Sequence, residues 1–116
     1  MVITGDFNVI PHEIDVYDAS AWQGDALYHP AVHQRFKQLQ HLGFWAAWRT
    51  LHPEKRCYSF WDYQRGRWQK GEGIRIDHLM LSPLAVERLE TAEIDKNPRG
   101  KPEPSDHTPV WCILSD

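Results

Sequence analysis

The chain has 116 residues, 41% apolar and 25% charged, with a formal net charge of −3. That length supports a single core and one domain at most, and the composition is in the ordinary globular range. No apolar run approaches the roughly 20 residues of a membrane helix, and Met1–Asp6 has no basic n-region, so the chain reads as cytoplasmic with no membrane partner.

The first element in chain order is Met1-Val2-Ile3-Thr4, β-branched and apolar, expected as a short buried strand that stops at Gly5-Asp6. Pro11, Asp15, Asp18 and Gly24 mark a long irregular loop. Pro30 is placed to open a helix carrying Val32, Phe36, Leu39 and Leu42 on one face, with Gly43 just past its end. Phe44 to Leu51 is expected to form a helical turn closed by Pro53. Cys57 to Tyr63 is aromatic and β-prone, and Gln64 to Gly73 reads as a polar hairpin loop. Ile74 to Leu81 alternates and then turns apolar, as a strand entering a core does. Pro83 to Glu87 is a turn or short helix, Arg88 to Asp95 a strand, Asn97 to Ser105 a loop, and Thr108 to Leu114 the last strand. The order predicts an α/β fold with a mixed, mostly antiparallel sheet and a helix packed on one face. A buried strand at the start implies partner strands from upstream sequence.

Cys57 and Cys112 lack CxxC spacing and read as free thiols, which argues against zinc and against a disulfide scaffold. Charge is unevenly distributed. Residues 1–28 carry five acids and no Lys or Arg, whereas residues 49–75 carry seven basic residues against three acids. An acidic pole can hold a hard cation and a basic segment can hold phosphate; both can equally be solvated surface.

Four constellations carry candidate chemistry. In Gly5-Asp6-Phe7-Asn8-Val9, Asp6 and Asn8 stand two apart at a strand end and point the same way. Such a pair can hold a divalent ion and orient water, or simply form an Asx turn. Ser105-Asp106-His107 offers a carboxylate and a titratable imidazole just before a strand, or a capped polar loop. Asp77 lies in an apolar segment and needs a partner, because burying an unpaired charge is costly. His107 is one candidate and Arg75 or a lysine the other. From Tyr58 to Arg75, Phe60, Trp61, Tyr63 and Trp68 interleave with Arg65, Arg67 and Lys70. Aromatics can stack on bases while cations hold phosphates; alternatively Phe60 and Trp61 fill the core. His12, His29, His33, His41 and His52 have no ligand spacing and read as surface or capping residues.

These motifs, together with Tyr58-Ser59-Phe60-Trp61-Asp62-Tyr63, Arg75-Ile76-Asp77-His78 and Pro104-Ser105-Asp106-His107-Thr108-Pro109-Val110, resemble the exonuclease III / AP endonuclease family of the endonuclease/exonuclease/phosphatase superfamily. The resemblance runs from Val2 to Leu114. It implies half of a four-layer α/β/β/α sandwich, with residues 1–116 as the C-terminal half of the domain. The activity implied is that of a DNA-repair phosphodiesterase, an abasic-site endonuclease and 3′-5′ exonuclease using Mg²⁺, with Mn²⁺ as the alternative ion. Its substrate would be double-stranded DNA with abasic or 3′-blocked ends. Asp6 would activate the attacking water, Asn8 would help hold water or metal, His107 would contact the phosphate, Asp77 would hold the imidazole, and Asp106 would lie at the metal. Phe60, Ile74 and Ile76 would line the pocket for the base-less sugar, and Gln64 to Gly73 would lie against the DNA. Ala46 stands where relatives often carry Asp, which predicts a weakened hydrogen bond to Arg49 or a helix end. The resemblance also places an asparagine, a metal-binding glutamate and a tyrosine in an N-terminal half that this chain lacks. The expected partner is therefore that half, or a second copy through an exposed sheet face. The competing readings are an inactive assembly or DNA-binding module and a sister phosphodiesterase of the same superfamily.

Overall fold

Near-continuous apolar sequence places β3 (Asp77–Leu81) at the centre of the molecule. Leu79, Met80 and Leu81 are all buried, as expected of a strand covered on both faces. A computed structural model describes residues 1–116. In it β1 (Val2–Asp6) runs antiparallel to β3 in unbroken register from Val2 opposite Leu81 to Asp6 opposite Asp77. The short β2 (Trp45–Ala46) pairs with the other edge of β3, giving the order β1-β3-β2. β1 was expected to be buried and instead is an edge strand, with Val2 43% exposed. The β-branched run correctly marks extended chain, but pairing on one side only leaves its face open.

The single expected sheet is divided. β4 (Leu89–Ile94) and β5 (Val110–Leu114) form a separate antiparallel pair with an irregularity between Leu89 and Thr91. Between the sheets lie Leu79, Leu81, Ala92 and Ile94, closed by Trp48.

The helix α1 (Pro30–His41) forms where proline and the apolar spacing put it. His29 Nδ1 accepts the Ala31 amide at 3.1 Å, so one predicted capping histidine does cap. Val32, Phe36 and Leu39 meet Ile3, Phe7, Val9 and Met80 across the sheet. Gly43 leaves the helix at φ +103° with Pro83 packed beside it, where a side chain is strained and crowded. The next helix, α2 (Ala47–Leu51), buries Trp48. The longest helix has 12 residues, and none is long and apolar enough to cross a membrane.

Two expectations around the aromatic segment change. Cys57 to Tyr63 makes no strand; only Phe60 bridges, to Ile74 and to His107. Gln64 to Gly73 is no open hairpin loop either. A 3₁₀ turn at Gln64–Gly66 leads into the one-turn α3 (Arg67–Lys70), with Gly66 and Gly71 left-handed at its two ends. Pro83–Val86 forms α4, capped by Ser82 Oγ, which accepts from the Ala85 amide at 3.3 Å.

Ala46 occupies the N-cap of α2 and offers no side-chain acceptor. Nearby, Arg49 Nε is buried with no hydrogen-bond partner, and a cavity of about 270 Å³ opens beside both residues. Ala46→Asp is therefore expected to stabilise the fold by about 1 kcal/mol through the cap, read as an upward shift of the urea midpoint at unchanged slope.

Candidate active site

The β1–β3 ladder sets Asp6 directly opposite Asp77. Two like charges facing across a ladder are unfavourable unless something sits between them. His107 does. Its Nδ1 lies 2.8 Å from Asp77 Oδ2, and its Nε2 lies 3.7 Å from Asp6 Oδ2. Ligand atoms of the three residues fall within 4.8 Å of one another. The short contact assigns the proton on Nδ1 to Asp77, which leaves Nε2 turned toward Asp6.

Contacts outside the ladder deliver His107. The amide of Thr108 donates to Ser59 O at 2.8 Å and that of Trp61 to Asp106 O at 3.0 Å. Phe60 meets the His107 ring edge-on at 5.1 Å. Ser59 Oγ in turn accepts from the amides of Ile76 and Asp77 at 3.1 and 3.2 Å. One buried serine thus links the segments that carry His107 and Asp77.

Asn8 adopts a left-handed φ of +51°, a region that Asn tolerates better than most residues. Its amide donates to Asp6 Oδ1 at 2.9 Å. The Asx turn and the carboxylate cluster are therefore the same feature, with the turn holding Asp6 in place. Asp106 contributes its backbone carbonyl to the Trp61 contact, and its carboxylate stands outside the three-residue group.

The aromatic-basic stretch sorts into exposed and interior residues. Tyr63, Arg65 and Lys70 are exposed, and Arg65 sits at a left-handed φ of +58°. Trp61 is 4% exposed and packs edge-to-face with Trp68 at 4.9 Å, so it fills the interior and does not stand free to stack on a base. The buried guanidinium of Arg99 lies 5.2 Å from the Tyr63 ring centroid and 5.6 Å from that of Trp68, and its Nη2 donates to Trp61 O at 3.0 Å. A Cβ on Gly73 would lie 2.6 Å from Trp61 Nε1, so only glycine lets the chain pass there. Arg67, expected in the DNA groove, pairs with Glu72 and lies over Tyr17.

Ile74 and Ile76 are buried with Ile10 and Val16. Ile74 and Phe60 nonetheless line a cavity of about 150 Å³ together with Tyr17, Trp22, Arg67 and Glu72; Ile76 does not reach it. Sequence reasoning missed Tyr17 and Trp22, which lie in an irregular loop with no periodicity to flag them.

The expected Asp77–His107 pair forms, and the alternative pairing of Asp77 with Arg75 does not. Arg75 leaves Asp77 to His107 and binds Asp15, Nε to Oδ1 at 2.7 Å, with both side chains at most 2% exposed. Arg49 reaches the same Asp15 oxygen, and the His12 amide donates to Oδ2 at 3.1 Å. The Arg75 and Arg49 cations hold the Asp15 carboxyl below the usual range against the opposing effect of its burial. A guanidinium between Ile74 and Ile76 was the available signal, since a cation in an apolar segment requires a buried acid.

Comparison with known proteins places the chain in a defined group. Residues 1–107 match the model of the Endonuclease/Exonuclease/phosphatase family. An exodeoxyribonuclease of Bacillus subtilis (strain 168) is 30% identical over 99% of this chain and 44% of its own length. A 3′ phosphatase from Neisseria bound to a product DNA hairpin superimposes with a TM-score of 0.95 at 33% identity, over 98% of this chain and 44% of that one. An AP endonuclease from Archaeoglobus fulgidus does so with a TM-score of 0.93, also at 33% identity, over 97% and 44%. The chain spans less than half the length of the relatives it matches.

Proposed function

The chain belongs to the endonuclease/exonuclease/phosphatase family, and on that premise we propose that it is the C-terminal half of a DNA-repair phosphodiesterase of exonuclease III type. The observation that carries the proposal is the convergence of Asp6, Asp77 and His107 within 4.8 Å. Asp6 orients the attacking water and takes its proton. Asp77 fixes the ring of His107 through Nδ1, so that Nε2 faces the scissile phosphate and, with a second ring proton as imidazolium, donates to the oxygen on which charge develops. The donor set suits a hard divalent cation: Asp6 is an exposed carboxylate within 4.8 Å of the Asp77 and His107 ligand atoms, and Asn8 and Asp106 are the further oxygen donors we assign to the ion. Mg²⁺ or Mn²⁺ bound there would supply Lewis-acid polarisation of the phosphoryl oxygens. Asp77 is already committed to His107, so the chain's own oxygen donors are few and its affinity for the ion is expected to be weak.

Substrate selection follows from the cavity beside Phe60 and Ile74. This cavity of about 150 Å³ is small, and as the subsite for a base-less sugar it would exclude a nucleoside with its base attached. Exposed Tyr63, Arg65 and Lys70 stand on the same connection as Phe60 and serve the DNA backbone. Cys57 and Cys112 are free thiols, in keeping with a reducing compartment such as the cytoplasm.

The test is cleavage of a duplex with one abasic site in Mg²⁺, by the chain alone and combined with the N-terminal half of a relative. Cleavage in the combined sample supports the proposal. A combined sample that stays inert refutes it, and turnover of an inositol phosphate in place of DNA would assign the chain to a sister activity. The partner for the open side is the complementing half or a second copy. Trp111 and Ile113 alternate outward on β5, at 41% and 47% exposure. The isolated chain is expected to sediment as more than a monomer, and a monomer at all concentrations would remove the association proposal.

A further inference from the structure

Residue 78 follows Asp77 on β3 and points into the interior, where its side chain is 2% exposed. An imidazole so deeply buried must place both ring nitrogens on partners. His78 Nε2 lies 3.0 Å from the carbonyl oxygen of Val9, and Nδ1 lies 3.0 Å from Arg75 Nη1. A guanidinium can only donate, so Nδ1 accepts and the ring proton is on Nε2, donated to Val9. Arg75 is itself fixed by Asp15. Two aromatic rings pack against the imidazole, Phe7 edge-on at 5.6 Å and Phe36 tilted at 5.2 Å between centroids.

The two partners that matter flank one residue. Phe7 precedes Asn8 and Val9 follows it, and Asn8 carries the left-handed φ of +51° and the amide that holds Asp6. We propose that His78 is a positioning residue for the Asp6–Asn8 turn, gripping the chain on both sides of Asn8. Ring packing fixes Phe7 and the Nε2 hydrogen bond fixes Val9, so the strained residue between them has little room to relax. Leucine would fill the space but leave the Val9 carbonyl and an Arg75 N–H without partners. Glutamine can donate to the first and accept from the second. The functional consequence rests on the activity proposed above; the geometric claim does not.

The experiment compares the parent with His78→Leu and His78→Gln in the form that cleaves abasic duplex. Two readings are taken: steady-state kinetics, and hydrogen exchange at the Asn8 amide relative to the amides of Leu79 to Leu81. His78→Leu is expected to lower kcat about 10- to 100-fold, the cost of a small misplacement near the reacting atoms, with KM within about twofold of the parent. Asn8 exchange should accelerate while the β3 amides keep their protection, and His78→Gln should recover most of both. Parental kcat and parental Asn8 exchange in His78→Leu would overturn the inference. A uniform rise in exchange across β3, not corrected by glutamine, would also overturn it, because that is loss of stability alone. Should the parent cleave no DNA, the functional reading falls, and Asn8 exchange in the two variants still decides the positioning claim by the same criterion.

Discussion

Asp6→Asn is expected to lower cleavage of an abasic duplex by about 10²- to 10⁴-fold, the range for loss of a positioned general base. The substitution is conservative where structure is concerned. Asp6 Oδ1 accepts the Asn8 amide at 2.9 Å, and the carbonyl oxygen of an asparagine can do the same. What disappears is the negative charge opposite Asp77 and 3.7 Å from His107 Nε2, and with it the ability to accept a proton from water. Because that charge faces another carboxylate across the ladder, removing it is not expected to destabilise the fold. The urea midpoint should stay at or above that of the parent while turnover collapses. A variant that retains activity within a fewfold of the parent would exclude Asp6 as the base.

The second large effect is on stability at acid pH. Burial and the nearby Arg75 cation lower the pKa of His78 from 6.5 to about 3. Between those values the unfolded chain binds a proton that the folded chain excludes, so stability falls as pH falls through the window. The limiting slope for one such group is about 1.4 kcal/mol per pH unit. Asp15 adds to it lower down. Its folded pKa is depressed, so its contribution is present above the unfolded carboxylate value and lost as pH drops through the folded one. Urea unfolding at pH 7, 5 and 4 should show a steep decline in the parent and a shallower one in His78→Gln, which has no ring to protonate. Equal slopes in the two proteins would show that this imidazole is not the group responsible.

What the sequence made legible follows from where the information is local. The Pro30 start, the spacing of Val32, Phe36 and Leu39, and Gly43 beyond the end define α1 within a residue or two, because capping and periodicity are nearest-neighbour properties. Asp6 could be singled out at the end of an apolar strand, but Asn8 lies beyond β1 in a left-handed turn, where the two-residue strand repeat does not apply. The family resemblance rested on the order of several such motifs and holds. The expected α/β class holds as well, and the chain superimposes on a little under half of its structural relatives. Illegible were the features that depend on distant partners. β1 reads as a core strand by composition but has a neighbour on one side only. Cys57 to Tyr63 has strand propensity but spends its hydrogen bonds on isolated bridges. Trp61 and Trp68 resemble a stacking platform until Arg99, far along the chain from both, packs its guanidinium against the Tyr63 and Trp68 rings. Asp15 looked like a loop polar residue because its partner lies 60 positions further on.

Ser59 has a wider implication. By accepting from the amides of Ile76 and Asp77 with its hydroxyl, and from Thr108 with its carbonyl, it ties two of the reactive groups together inside this stretch of chain. The geometry of the Asp77–His107 pair therefore rests on contacts made within residues 59–108, so a change at Ser59 would be felt by both residues at once.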